Sequence, residues 1–257
     1  MPKLLQINIT ANWGSTGKIA EQIGLCAQAH GWDSFIAFGD KYNLSKSSLI
    51  KIGGRSNRYL HFAEQRIRDN EGLCSRRATR ELIEKIKEIG PDVVGLHNLH
   101  DHYLNYRLLF EYLNKTDIKV VWTFHDCWAF TGHCMHFITK DCERWKTGCY
   151  DCLMRGEYPK AVLDRSRQNW ELKKHLYGEC KNLTIVAVSD WIQVYWLEAF
   201  AFFPIVFIVI GVTLGRWKGK TRALFENVPP WSLYRIFVGV TWMLAMGALV
   251  KAGTPVS

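Results

Sequence analysis

The N-terminus lacks the long apolar run of a secretory signal, since Met1 to Gln6 carries no such stretch. Cysteine is too sparse for a disulfide scaffold, with eight in 257 residues. These two absences place residues 1–190 in a reducing cytoplasm. There the sequons Asn8-Ile9-Thr10 and Asn182-Leu183-Thr184 carry no information. Acidic side chains are in deficit: 24 Asp and Glu stand against 33 Lys and Arg, a formal charge of +9. A basic balance favours nucleotide phosphates, nucleic acid or an anionic membrane face, or it reflects a solvated surface. No nucleic-acid-binding motif accompanies the charge, so nucleic acid is not an expected partner. Two phosphate-binding signatures are missing as well. Gly14-Ser15-Thr16-Gly17-Lys18 is not a P-loop, because Asn12 takes the place of its first glycine and Ile19 that of its final Ser or Thr. It is not Gly-x-Gly-x-x-Gly either. Both departures argue against an ATPase and a dinucleotide oxidoreductase.

What is present is a chain with 48% hydrophobic residues, enough to fold. Residues 1–190 alternate short apolar runs with amphipathic stretches. Lys3 to Ile9 reads as a buried strand, followed by a glycine-bearing turn, Asn12 to Gly17, and a helix from about Lys18 to His30. Ser34 to Phe38, Val93 to Leu96, Lys119 to Phe124 and Leu183 to Val188 read as further strands. Helical spacing covers Tyr59 to Arg68, Ala78 to Ile89, Tyr106 to Leu113 and residues 166–177, and Gly90-Pro91 stops the second of these. Alternating strands and helices predict an α/β domain with a parallel sheet and helices on both faces.

The pattern changes near residue 193. Val194 to Leu214 is 21 residues with a single charge, Glu198, a length that spans a bilayer; the alternative is a buried helix of a globular core. Arg216, Lys218, Lys220 and Arg222 follow, and would hold the C-terminal side in the cytoplasm. That orientation conflicts with a cytoplasmic domain 1–190 ahead of a single span. Ile236 to Val250 is a second apolar stretch, short for a span and of the length of a bundle helix.

Three polar motifs fall where the predicted strands end. These are the turn Gly14-Ser15-Thr16-Gly17, the pair His97-Asn98, and His125-Asp126. In an open parallel sheet ligands bind beyond the carboxyl ends of the strands, so the three together predict a binding cleft. A helix N-terminus after a glycine turn can hold phosphate or sugar hydroxyls. A histidine beside a carboxylate can hold a hydroxyl or the charge that develops in group transfer. Further along, Cys134, Cys142, Cys149 and Cys152 lie within 19 residues and end in Cys-x-x-Cys. Four thiolates can hold a structural zinc that staples a long loop, with His133 and His136 as substitute ligands; four reduced thiols are the alternative.

Several segments carry a family resemblance. They are Leu5-Gln6-Ile7-Asn8, Gly14 to Ala20, Leu96-His97-Asn98-Leu99-His100, Trp122 to Cys134 with its His125-Asp126-Cys127-Trp128, and Trp145-Lys146-Thr147-Gly148-Cys149. Over about residues 1–192 the chain resembles bacterial family 4 retaining glycosyltransferases, of the kind used in capsule and O-antigen synthesis. The resemblance implies two facing Rossmann-like domains (the GT-B fold), of which 1–192 is the N-terminal, acceptor-side one. It implies a nucleotide-sugar donor and a glycan or lipid-linked acceptor. Gly14 to Gly17 would then line the cleft near the donor phosphates, His125 with Asp126 would sit at the reacting centre, and His97 and Asn98 would lie on the acceptor side. Nothing in 193–257 matches the second, donor-binding domain, so weak or no transfer is expected of this chain alone. The tail, with Pro229-Pro230-Trp231-Ser232-Leu233-Tyr234-Arg235 and Leu249 to Val256, resembles the inner-membrane platform protein (F-type) of type II secretion and type IV pilus systems. A join of two truncated genes near residue 193 accounts for both partial resemblances. It predicts a protein on the cytoplasmic side of the inner membrane, anchored through 194–214.

Overall fold

The computed structural model describes residues 1–188. The chain divides into two units, Met1–Ala201 and Phe202–Ser257, and every described residue belongs to the first. Among the described residues no helix is long and apolar enough to cross a membrane. The expected span at 194–214, the stretch 236–250 and the platform-like tail lie outside them.

The strands are β1 (Lys3–Asn8), β2 (Asp33–Phe38), β3 (Ser48–Lys51), β4 (Val93–Leu96), β5 (Lys119–Phe124) and β6 (Leu183–Ala187). They form one six-stranded sheet in the order β3-β2-β1-β4-β5-β6, every pair parallel. This is a Rossmann-like arrangement, with its reversal of strand order between β1 and β4. The helices are α1 (Gly14–Ala29), α2 (Arg55–Arg68), α3 (Arg76–Ile89), α4 (Tyr106–Leu113) and α5 (Ser166–Gly178). Helices α3, α4 and α5 pack in a row, and α1 packs on β1 and β2.

Three elements differ from the sequence expectation by more than two residues. Helix α1 begins at Gly14 rather than Lys18, so the glycine-bearing segment is the helix's first turn and not a loop ahead of it. Helix α2 begins at Arg55, a turn before the apolar periodicity starts, because its first residues face solvent. Strand β3 was not expected: four residues at the sheet edge, half-buried at most, leave no apolar run to read.

Strand β1 is buried along nearly its whole length, yet its two faces differ. Leu5 and Ile7 join the main core with Leu82, Ile86, Leu109, Phe110 and Tyr177. Gln6 and Asn8 are fully buried on the other side of the strand, where the α1-side core is only Ala11, Ala20, Ile36 and Phe38. Burying two amides in a central strand costs free energy unless they are hydrogen-bonded, and both are.

The loop from β4 to α4 is held tightly against this sheet. Tyr103 is fully buried and donates its hydroxyl proton to the Asn98 carbonyl at 2.7 Å. Its ring passes so close to Gly39 that a β-carbon there would lie 2.3 Å from it. Gly39→Ala is therefore expected to lower the unfolding free energy by about 1–3 kcal/mol. Urea denaturation checks this; an unchanged midpoint would mean that the loop yields and does not set the position of Asn98.

Candidate functional site

The carboxyl ends of β1, β4 and β5 carry the polar groups singled out in the sequence. Beyond β1 the chain turns through Asn12, at φ 47°, into the first turn of α1. The turn is braced from below. Asn8 donates through Nδ2 to the Thr10 carbonyl at 2.9 Å and to Thr16 Oγ1 at 3.2 Å, and Thr10 Oγ1 donates to the Trp13 carbonyl at 2.8 Å. Gly17 is required by close approach, since a β-carbon there would sit 2.6 Å from Thr10 Oγ1. Gly14 and Ser15 are exposed and Thr16 half-buried, at a helix N-terminus, where the first-turn amides lack helical partners and an anion is favoured. The same Asn8 accepts the Asn98 amide proton on Oδ1 at 3.3 Å and so ties the end of β1 to the end of β4.

At β4 and β5 a small cleft with a cavity volume of about 10 Å³ is lined by His97, Asn98, His100, His125, Asp126 and Trp128, among others. A complete small-molecule site usually offers about 300–1,000 Å³, whereas this cleft has room for about one water, so it is a single contact point and not a ligand pocket. Two of its histidines differ sharply in charge. His97 is held almost wholly out of water, and burial, helped by the neighbouring His125, pushes it down to about 3, so it is neutral. His100 is as deeply buried, but the Asp126 and Asp101 carboxylates outweigh the cost of burial and raise it to about 10. Its Nε2 donates to Asp126 Oδ2 at 2.8 Å, while its Nδ1 lies 3.6 Å from Asp101 Oδ1, a charge contact. Despite their burial, Asp126 and Asp101 are both depressed by His100, Asp101 to about 2. His125 is half-buried and lowered by burial; its Nε2 lies 3.0 Å from His97 Nδ1.

The structure thus brings Gly14 to Gly17, His97, Asn98, His125 and Asp126 to one end of the sheet. Asp126 is not a free carboxylate: Oδ2 receives His100 and Oδ1 receives the Trp128 amide at 2.9 Å. It acts through the loops it holds. Sequence reasoning did not single out Gln6, His100, Asp101, Tyr158 or Lys173 as site residues. Gln6 is buried under His97. The Tyr158 hydroxyl donates to Asp101, across 57 positions of sequence. Lys173 Nζ donates to the carbonyls of Trp128 at 2.6 Å and Thr131 at 3.1 Å and lies over the Trp128 ring at 3.4 Å. Burial pushes that amine down to about 7. A polar residue at an inward-facing strand position, as Gln6 is, was the one available signal.

The four cysteines lie in the connection between β5 and α5, where Cys134 and Cys149 are buried. Burial pushes Cys134, Cys149 and Cys152 up to about 12 each, and each is affected by another of the four. Cys149 Sγ accepts the Gly132 amide proton at 3.2 Å. No three of these sulfurs come within 4.8 Å of one another. Among the described residues only His61, Glu71 and His102 form a group that compact. His61 has no lone pair to offer there, because Nε2 accepts the Gly72 amide proton at 3.2 Å and Nδ1 is 2.8 Å from Ser75 Oγ. Glu71 holds the β4–α4 loop: Oε1 accepts the His102 amide proton at 3.0 Å, and Oε2 lies 2.5 Å from His102 Nδ1.

No family model matches the chain. Over 95 residues it is 38% identical to the colanic acid biosynthesis glycosyl transferase WcaC of Escherichia coli (strain K12), an overlap of 35% of this chain and 23% of that protein. The match supports a glycosyltransferase-type N-terminal domain, and the chain spans less than a quarter of that relative's length.

The charge on His100 makes stability depend on pH. Its folded value, about 10, lies above its ordinary 6.5, so its pairing contributes fully below pH 6.5 and is lost as pH rises toward 10. The Asp101 contribution runs the other way: it is present above the ordinary 3.8 and fades as pH falls toward 2. At pH 6 Asp126→Asn is expected to cost about 3–5 kcal/mol. The gap to the unmodified protein should narrow as pH is raised toward 10. A gap of constant size across that range, measured by denaturant unfolding, would show that Asp126 holds the loop without the His100 charge.

Proposed function

We propose that residues 1–188 are the acceptor-side half of a glycosyl-transfer site, working with a nucleotide-sugar donor and a glycan or lipid-linked acceptor in surface polysaccharide synthesis. One observation carries the reading. The first turn of α1, the His97-Asn98 pair and His125-Asp126 meet at the reversal of strand order, which is where a sheet of this topology binds ligands. The partial similarity to WcaC agrees with it. On this reading the first-turn amides of Gly14 to Gly17 face the donor phosphates, and His125 faces the transferred sugar. The opposite wall, with most donor contacts, would come from a second domain that residues 193–257 do not resemble.

The test supplies a matching C-terminal domain and measures transfer. His125→Ala is expected to lose about 10²–10³-fold in turnover, the usual cost of one well-placed polar group at a reacting centre. Turnover equal to that of the unmodified protein would remove His125 from the reaction.

The same reading leaves two assignments for separate tests. Cys134, Cys142, Cys149 and Cys152 are proposed to hold a structural zinc in the long β5–α5 connection. Amide donation from Gly132 to Cys149 and from Met154 to Cys152 favours thiolate there. The neighbouring His133 Nε2 is buried without a partner and offers a substitute ligand. Metal analysis of freshly purified, reduced protein should find about one zinc per chain, as a single tetrahedral site requires; finding none removes the site. The tail is proposed to tether the chain through 194–214 to the cytoplasmic side of the inner membrane. Its removal should move the protein from the membrane fraction to the soluble one, and a full chain that is already soluble contradicts the tether.

A further inference from the structure

Three adjacent strand ends carry a chain of hydrogen bonds whose direction is fixed at one end. Gln6 Nε2 lies 2.7 Å from the Ala20 carbonyl oxygen, in the body of α1. A carbonyl only accepts, so the amide nitrogen of Gln6 points there and its oxygen points the other way. That oxygen lies 3.1 Å from His97 Nε2 and can only accept, so Nε2 of His97 carries a proton. His97 is buried and neutral, which leaves its Nδ1 as a bare lone pair. The atom 3.0 Å from that lone pair is His125 Nε2, which must then be the donor. In neutral His125 the remaining nitrogen, Nδ1, has no proton and, among the described residues, no hydrogen-bond partner, and the ring lines the cleft.

We infer that Gln6 and His97 are positioning residues that lock His125 as the Nε2–H tautomer, and that Nδ1 is thereby an obligate hydrogen-bond acceptor for a hydroxyl of a neutral sugar. The ligand class follows from what surrounds the ring. The charged groups nearest His125 are Asp126 and His100, and His100 also faces Asp101. One positive and two negative charges leave this end of the site with no excess of positive charge for phosphate. A phosphate oxygen would also meet a lone pair at Nδ1 instead of a donor. The cleft at the β4 and β5 ends therefore presents an acceptor. This inference rests on the glycosyl-transfer reading only for the identity of the hydroxyl; the tautomer itself is a property of the protein without substrate.

The experiment is nitrogen NMR of the full chain, labelled with ¹⁵N at histidine and recorded near neutral pH, with signals assigned from single His→Gln variants. Both His97 and His125 should show a protonated Nε2 and a bare Nδ1. In Gln6→Leu the acceptor is gone, and the His125 proton should spread over both nitrogens. Gln6→Glu should invert the tautomer: the carboxylate charges His97 as Asp126 charges His100, and the proton that His97 then carries on Nδ1 forces His125 into the Nδ1–H form. A His125 protonated at Nδ1 in the unmodified chain overturns the relay, whether or not either variant folds; so does a Gln6→Leu spectrum identical to the unmodified one. Methyl glucoside should then shift the His125 Nδ1 signal, and inorganic phosphate at equal concentration should not. A larger shift with phosphate overturns the hydroxyl assignment. Absence of any transfer by the unmodified chain supplied with a matching C-terminal domain, with the expected tautomers observed, would count against the glycosyl-transfer reading and leave the relay standing.

Discussion

The polar architecture depends on the reversal of strand order between β1 and β4. A parallel sheet with helices on both faces must reverse somewhere, and at that point the loops diverge and leave an opening. An opening in a buried sheet exposes strand ends, whose backbone groups then need partners. Here one side chain, Asn8, bonds both to the turn that enters α1 and to the amide of Asn98 at the end of β4. Gln6, two residues earlier, does the same one layer down, bonding α1 on one side and His97 on the other. The two amides replace apolar packing on that face of β1. The apolar work falls to the opposite face, where Leu5 and Ile7 join the large core. A sheet that packed well on both faces would have no room for these amides, so the small α1-side core and the site share one cause.

Charge is placed within this frame by single-residue differences. His97 and His100 are both buried on the loop after β4, yet one is neutral and the other charged. His97 faces an amide oxygen and another imidazole, which give a positive charge no compensation. His100 faces two carboxylates, and the charged form wins despite burial. The charged triad also holds an unfavourable backbone. Asp101 and His102 follow each other at φ 78° and 65°, a conformation that costs about 1–3 kcal/mol at each non-glycine residue. Asp101 is held by His100 and Tyr158, and His102 by Glu71. The loop persists because those pairs over-determine it, and that keeps Asn98 and His97 in place.

Much of this was legible in the sequence. Strands β4 and β5 and helix α4 fall at the expected bounds, because each is a short apolar or amphipathic run, and Gly90-Pro91 ends the helix ahead of β4; the structure adds an Asn105 cap ahead of α4. The strand-end positions of His97, Asn98, His125 and Asp126 followed from those bounds. The start of α1 was missed because a glycine pair reads as a turn, whereas here Thr10 and Asn8 support the glycines as helix. His100 and Asp101 were missed because their role comes from partners 26 and 57 positions away, which no local pattern shows. Lys173 reads as an exposed residue of a polar helix, but it lies inward under Trp128.

The long β5–α5 connection shows how a site can be made rigid without regular structure. It holds only two short 3₁₀ turns, Phe137–Lys140 and Arg144–Lys146. Connections of this length inside a compact domain need support of their own. Part of it is aromatic: Phe137 and Trp145 pack at 4.9 Å and Phe130 on Trp145 at 5.5 Å. Part is polar, through the Lys173 amine on two carbonyls and the buried His133–Asp69 pair, which anchors the loop to the end of α2. His125 and Asp126 are the first two residues of this connection, so its packing bears directly on the cleft. The relay from Gln6 sets the direction of the His125 ring from beneath the sheet, and the loop sets it from above. Each constraint alone would leave the ring a choice of tautomer or of rotamer. Together they leave one nitrogen facing outward with its lone pair exposed, which is the geometry a hydroxyl-bearing ligand needs.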